Sequence, residues 1–125
     1  MGAITVVYLF GALFLKHYVC DFPLQVAYQY KNKGTYGHPG GILHAAIHAV
    51  GTAVVLLAFV LTGHSTILLI ALLDGVIHYH IDWAKMNLNN HYGLTPTNSE
   101  FFWHLLGLDQ LFHYMTYFGI VLYLV

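Results

Sequence analysis

Four long apolar segments, separated by polar stretches, dominate the pattern of hydrophobic and polar positions along the chain. They cover residues 2–22, 42–61, 66–85 and 101–125. Each is close to the roughly 20 residues that an α-helix needs to cross a bilayer. Pro23 is expected to end the first helix, because proline lacks the amide hydrogen that continues the helical hydrogen-bond ladder. The sequence therefore predicts an all-α membrane protein with four transmembrane helices.

The segments between these helices predict how the helices are connected. Residues 31–41 and 87–96 are rich in polar residues and glycine, as loops are. Residues 62–65 make a tight link, so the second and third helices are expected to form an antiparallel hairpin. Residues 97–100, Thr-Asn-Ser-Glu, have the form of a capping box that opens the fourth helix. One antiparallel four-helix bundle over residues 1–125 is the expected domain.

Four crossings place both termini on one side of the membrane and the two longer loops on the other. The lysines fall at or near the loop side; they are Lys16, Lys31, Lys33 and Lys85. Because positively charged residues concentrate on the cytoplasmic side, we expect the loops inside and both termini outside. The predicted location is the inner (plasma) membrane, crossed several times.

Composition agrees with a membrane protein and excludes other classes. Hydrophobic residues make up 58% of the chain and charged residues only 7%, which is too little polar surface for a soluble domain of this length. The net charge of −1 provides no basic patch, so nucleic acid is excluded as a partner.

Ionisable residues inside the apolar segments recur at an interval of four. The pairs are His17 and Asp21, His44 and His48, Asp74 and His78, His78 and Asp82, and Asp109 and His113. Residues four apart share one face of a helix, so the two members of each pair point at one target. Charged groups within a membrane are costly and usually mark function.

The depth of these residues strengthens the inference. At about 1.5 Å per residue, His17, His48, His78 and Asp109 lie roughly 20–24 Å from the extracellular end of their helices. Four separate helices thus place polar side chains in one layer near the cytoplasmic boundary. Such a layer favours a common site over scattered polar residues.

Metal binding accounts best for these residue types, since imidazole and carboxylate are both metal ligands. The candidate ligands are His17, Asp21, His44, His48, Asp74, His78, Asp82, Asp109 and His113. They are too many for one ion, so either two ions bind or some members orient the ligands. The expected cofactor is one or two divalent transition-metal ions, zinc first, with manganese or iron as alternatives. A hydrogen-bonded belt between helices and a proton relay are the competing interpretations.

The spacing of these motifs resembles a family of small bacterial and phage integral-membrane proteins known as a domain of unknown function. The motifs are His17-x-x-x-Asp21, His44-x-x-x-His48, His78-x-x-Ile81-Asp82-x-x-Lys85 and Asp109-Gln110-x-x-His113. Asp74 is not part of that pattern. The string is also loosely similar to predicted membrane-bound metal-dependent hydrolases, a resemblance that implies a role for Lys85 in holding an anionic substrate.

A metal-dependent hydrolase acting on a lipid or lipid-linked phosphate near the cytoplasmic face is the leading functional hypothesis. Asp82 and Asp109 are its catalytic candidates, because a carboxylate beside a metal-bound water can act as a base. Lys85 is the candidate for substrate binding. A metal-ion transporter and a membrane di-iron oxidase are the alternatives. The expected partners are the lipid bilayer and such a substrate, and assembly as a homo-oligomer stays open.

Overall fold

The computed structural model describes residues 1–59 and 63–125, and this part of the chain forms five helices and no strand. The helices are α1 (Ala3–Asp21), α2 (Ala27–Tyr30), α3 (Pro39–Phe59), α4 (His64–His91) and α5 (Glu100–Leu124). The prediction of an all-helical protein is confirmed. The end of the predicted second helix and the start of its tight link, residues 60–62, lie outside the described residues.

Three helices, α1, α3 and α4, are long and apolar enough to cross a membrane, where the sequence predicted four. The exception is α5, although it is 25 residues long. Its polar residues lower its mean hydropathy; they are Asp109, Gln110, His113 and the tyrosines Tyr114, Tyr117 and Tyr123. α5 therefore has the length of a membrane span without the hydropathy of the other three long helices.

The ends of the helices follow local sequence signals, but several predicted bounds shift: α3 begins at Pro39, inside the predicted loop, and α5 is capped by Ser99 rather than by the first residue of the predicted capping box. α1 stops at Asp21, two residues before Pro23, and α3 starts with Pro39 at a position where a missing amide costs nothing. Ser99 caps α5 by accepting a hydrogen bond from the Phe101 amide. α4 continues to His91, so the predicted loop at 87–96 begins inside a helix. Gly93, with φ of 61°, provides the left-handed conformation that turns the chain after α4.

The four long helices form a ring in chain order. α1 contacts α3 and α5, α4 contacts the same two helices, and the short α2 packs on α3. Gly75 allows the close approach of α3 and α4, because a Cβ there would lie 3.0 Å from that of Ala49. Gly51 leaves similar room for the stem of Lys16, which an added Cβ would meet at 2.9 Å.

The interior of this bundle has two parts of opposite character. Near the chain termini it is apolar; this apolar half consists of Leu9, Leu13, Leu56, Ile67, Ile70, Tyr117, Ile120 and Val121. Toward the loops, the buried side chains are mainly histidines, aspartates and lysines; this polar half consists of Lys16, His17, Asp21, Lys33, His44, His48, Thr52, Asp74, His78, Asp82, Asp109 and His113. The outer surface is largely apolar, with Ile4 and Val7 about 70% exposed. A protein with an apolar exterior and a partly polar interior suits a lipid environment.

Candidate metal centre

Each long helix directs a stripe of residues, four apart, into the polar half. On α3 the stripe is His44, His48 and Thr52, and on α4 it is Asp74, His78 and Asp82. The i, i+4 spacing keeps each stripe on one helical face, and the ring of helices turns all these faces inward. As a result, His44, His48, His78 and His113 are all at most 1% exposed.

Asp21, the last residue of α1, lies at the centre of the histidines. Its Oδ1 atom is 3.0 Å from Nε2 of His48, 3.1 Å from Nε2 of His44 and 3.8 Å from Nε2 of His78. Its Oδ2 atom is 3.1 Å from Nε2 of His17. One buried carboxylate therefore faces the same ring nitrogen of four histidines from three helices.

The ligand atoms of Asp21, His44, His48 and His78, the first ligand group, all lie within 4.8 Å of one another. The Nε2 atoms of His44 and His78 are 3.1 Å apart. Nitrogen and oxygen ligands about 2.0–2.2 Å from one tetrahedral ion would be separated by roughly 3.3–3.6 Å. The first ligand group thus has the residue types and close to the spacing that a transition-metal ion requires.

A second ligand group, His78, Asp82 and His113, adjoins the first and shares His78 with it. Asp82 lies between the two: its Oδ2 is 3.3 Å from Nε2 of both His44 and His78, and its Oδ1 is 3.6 Å from Nε2 of His113. Asp109 joins this side, with Oδ1 3.5 Å from Nε2 of His113. Those last two atoms are buried without a hydrogen-bond partner among the described residues.

His17 is near the first ligand group without belonging to it. Its Nδ1 is 2.9 Å from the Tyr117 hydroxyl, and its Nε2 is 3.1 Å from Oε1 of Gln110 and from Asp21. A neutral imidazole that accepts from the tyrosine and carries its hydrogen on Nε2 satisfies all three contacts. In this arrangement His17 holds the Asp21 carboxylate in position.

Three of the four buried aspartates each form an ion pair with a lysine. The ion pairs are Lys16 with Asp74 at 3.0 Å, Lys33 with Asp82 at 2.8 Å, and Lys85 with Asp109 at 3.3 Å. Lys31, the remaining lysine, is exposed. Asp21 is the buried carboxylate that faces histidines alone, so a cation beside it would balance its charge.

Asp74 lies outside both ligand groups, one helical turn from His78 toward the apolar half. Its Oδ2 accepts hydrogen bonds from Lys16 at 3.0 Å and from Thr52 at 2.6 Å. Lys16 also contacts the Tyr117 hydroxyl at 3.2 Å. The structure therefore places Asp74 beside a lysine inside the bundle rather than beside the histidines. The expectation that Lys16 lies at the loop side is wrong, because its side chain is directed into the bundle.

Sequence reasoning missed four residues of this site, Lys16, Lys33, Thr52 and Tyr117. Two carried a signal, because Thr52 and Tyr117 follow His48 and His113 by four positions and so extend their stripes. Lys16 was visible as a charge inside an apolar segment. Lys33 comes from the loop between α2 and α3, and no sequence pattern connects it with Asp82.

Comparison with known proteins assigns the chain to a family. No curated protein and no solved structure matches the chain. A family model described as "Protein of unknown function (DUF3307)" matches residues 9–125, which include both ligand groups and all three buried ion pairs. The chain therefore belongs to this family of unknown function.

Proposed function

We propose that the protein is a membrane-embedded, metal-dependent hydrolase that acts on a lipid or lipid-linked phosphate. The observation that carries the proposal is the buried Asp21 carboxylate, which contacts four imidazoles and no lysine. A carboxylate isolated from water needs a compensating cation. Asp21, His44, His48 and His78 would hold a divalent ion that provides that charge, with the three imidazoles offering their Nε2 lone pairs.

Two ion positions account for the ligands that converge here. The first ligand group would hold one ion. The second ligand group, in which Asp82 and His113 join the shared His78, would hold another. Imidazole and carboxylate ligands without thiolate favour zinc, with manganese or iron as alternatives.

The surrounding residues are suited to hydrolysis of a phosphate ester. A divalent ion here would supply Lewis-acid chemistry that makes water a nucleophile near neutral pH. Asp109, whose Oδ1 has no hydrogen-bond partner among the described residues, is placed to accept a proton. Lys85, paired with the other oxygen of Asp109, would neutralise a substrate phosphate. Asp82 would be a ligand of the second ion, and Lys33 balances its charge.

The proposed membrane arrangement adds α5 to the three apolar helices. α5 is long enough to cross a bilayer, and its neighbours α1 and α4 are candidate spans. Lys31, Lys33 and Lys85 lie at the end of the bundle that carries the longer loops, so we place that end and the metal centre near the cytoplasmic face and both termini outside.

A metal transporter is the alternative, and the apolar half argues against it. An ion leaving the polar half toward the chain termini would have to pass Leu9, Leu13 and Leu56, which are completely buried in the apolar half. Transport needs a polar path to both sides of the membrane. Because the apolar half offers an ion no polar path, the arrangement favours a metal centre that is accessible from only one side of the membrane.

Elemental analysis of the full chain, purified in detergent without chelator, tests the proposal. We expect one or two equivalents of a transition metal, and loss of phosphatase activity on lipid phosphates after chelation, with recovery when the same ion returns. Protein with less than about 0.2 equivalents of any transition metal would instead support a hydrogen-bonded belt that holds the helices together.

A further inference from the structure

The seam between α4 and α5 carries two adjoining grooves, with volumes of about 640 and 510 Å³. They share Ile77, Ile81 and Phe112 as lining residues. Most of their walls are apolar side chains that are also exposed on the outer surface, such as Leu73 and Met115. The seam is therefore open to the lipid along much of the bundle.

The seam leads from the lipid to the metal centre. The groove nearer the loops is lined by Lys85 and Asp109, whose side chains pair at 3.3 Å. The Lys85 side chain is 16% exposed, whereas Asp109 is 2% exposed and its other oxygen is turned toward His113. In this ion pair the ammonium group of Lys85 faces the groove, and the carboxylate of Asp109 extends toward His113 in the metal centre.

Two other grooves on the bundle lack this connection. The groove between α1 and α3 includes Lys16, but that lysine is directed inward to Asp74. The groove between α3 and α4 has His80 as its ionisable residue, and His80 pairs with the exposed Tyr36. Neither provides a cation for a ligand in the groove.

We infer that the seam between α4 and α5 binds the hydrocarbon chain of a lipid whose phosphate head group contacts Lys85. Apolar walls that end in an ammonium group match a molecule with a long apolar chain and an anionic end. This inference deepens the proposed function by locating the substrate. It rests on that function only for the hydrolysis of the bound phosphate ester.

The length of the seam also fits a chain. From Thr66 to Lys85, residues that line its two ends, α4 rises by about 28 Å. This distance is close to the hydrocarbon thickness of a bilayer, about 30 Å. A single long chain would lie along the seam with its phosphate at the depth of the metal centre.

Gly119 allows the groove to be filled without disturbing the bundle. It lines the groove nearer the termini, and a Cβ added there meets nothing within 4 Å. A Gly119→Phe side chain would therefore occupy the groove. Gly11 on α1 is equally open and does not line these grooves, so Gly11→Phe is the matched control.

The experiment measures binding of hexadecyl phosphate to the detergent-solubilised full chain by native mass spectrometry. Hexadecyl phosphocholine and inorganic phosphate are the comparison ligands, and metal content is measured on every variant. We expect hexadecyl phosphate to bind about tenfold or more tightly than the other two. Gly119→Phe should weaken it by a similar factor while Gly11→Phe does not. Lys85→Gln should remove the preference for phosphate, whereas Lys31→Gln should keep it.

The outcomes separate the two proposals. Equal binding of the two hexadecyl ligands, or binding by Gly119→Phe equal to that of the wild type, would overturn the seam as a lipid site even if metal is present. Equally tight binding of inorganic phosphate would identify a phosphate site without a chain. Protein that binds hexadecyl phosphate in the seam but lacks metal would refute the proposed function and leave this inference standing.

Discussion

The two halves of the bundle interior are built on the same helices with the same spacing, yet they are held together differently. On α3, Leu56 continues the stripe that begins with His44 and His48; on α1, Leu13 precedes His17 by four residues. Apart from the hydroxyl of Tyr117, the apolar half is held by van der Waals packing, and the hydrophobic effect adds little there in a bilayer because lipid chains are as apolar as leucine. The polar half has hydrogen bonds and ion pairs between all four long helices.

Apolar packing and ionisable side chains are thus separated along the bundle axis, and both parts hold the helices together. The apolar half requires shape complementarity and accepts no ion. The polar half carries four aspartates and three lysines in its interior, more charge than helix association needs. Lys16 and Tyr117 lie where the two halves meet, and the contact of 3.2 Å between Lys16 Nζ and the Tyr117 hydroxyl connects the two halves.

The largest expected effect is that of Asp21→Asn on metal binding. The substitution preserves the shape of the side chain but removes the charge that faces four histidines, so metal affinity should fall by more than about a hundredfold, beyond the usual loss for residues that only orient ligands. Competition with a chelating dye measures it. The control is the double variant Lys16→Met/Asp74→Leu, which removes a different buried carboxylate and should keep the metal.

The next effect concerns the ion pair at the boundary of the two halves. Lys16→Met leaves Asp74, 2% exposed, without its cation, and loss of one partner of a buried pair typically costs about 3–5 kcal/mol. The double variant Lys16→Met/Asp74→Leu should recover most of that free energy of unfolding, because it removes both charges. Unfolding by SDS in mixed micelles measures both. Equal destabilisation by the two variants would show that the pair itself is not the cause.

Leu56→Ala tests the apolar half. Leu56 is completely buried in the apolar half, and truncation of a buried leucine costs about 2–5 kcal/mol in soluble proteins. For a bundle surrounded by lipid rather than water, as we propose here, the expected cost is about 2 kcal/mol, the lower end of that range. Metal affinity should be unchanged. A variant that lost metal as well would break the separation between the two halves.

The sequence predicts much of this separation, but not all of it. The interval of four and the common depth predicted one layer of aspartates and histidines, since helical geometry is local, but they also admitted Asp74, which lies beside Lys16 instead. The partner of Asp74 was not predictable, because Lys16 is 58 residues away and either helix rotation fits the pattern. Lys33 reaches Asp82 from a loop whose path depends on tertiary packing. The apolar character of α5 is lower than its length alone suggests, because its tyrosines reduce its mean hydropathy.

The smallest expected effect is that of Tyr117→Phe, and it tests whether the boundary tunes the metal centre. The hydroxyl is 2.9 Å from Nδ1 of His17 and 3.2 Å from Nζ of Lys16, and His17 in turn contacts Asp21. Without the hydroxyl, His17 loses the partner that fixes its tautomer, and the Asp21 carboxylate is held less firmly.

Loss of such an orienting contact typically lowers metal affinity by about tenfold, while one hydrogen bond contributes about 1 kcal/mol to the free energy of unfolding. The matched control is Tyr114→Phe on the same helix, because Tyr114 places its ring centroid 5.6 Å from that of His17 and no hydrogen bond is described for its hydroxyl. We expect titration with a chelating dye to show a weaker metal complex for Tyr117→Phe alone. If the two variants bind metal equally well, the Tyr117 hydroxyl stabilises the fold without orienting His17. The contact where the two halves meet would then have no effect on metal affinity.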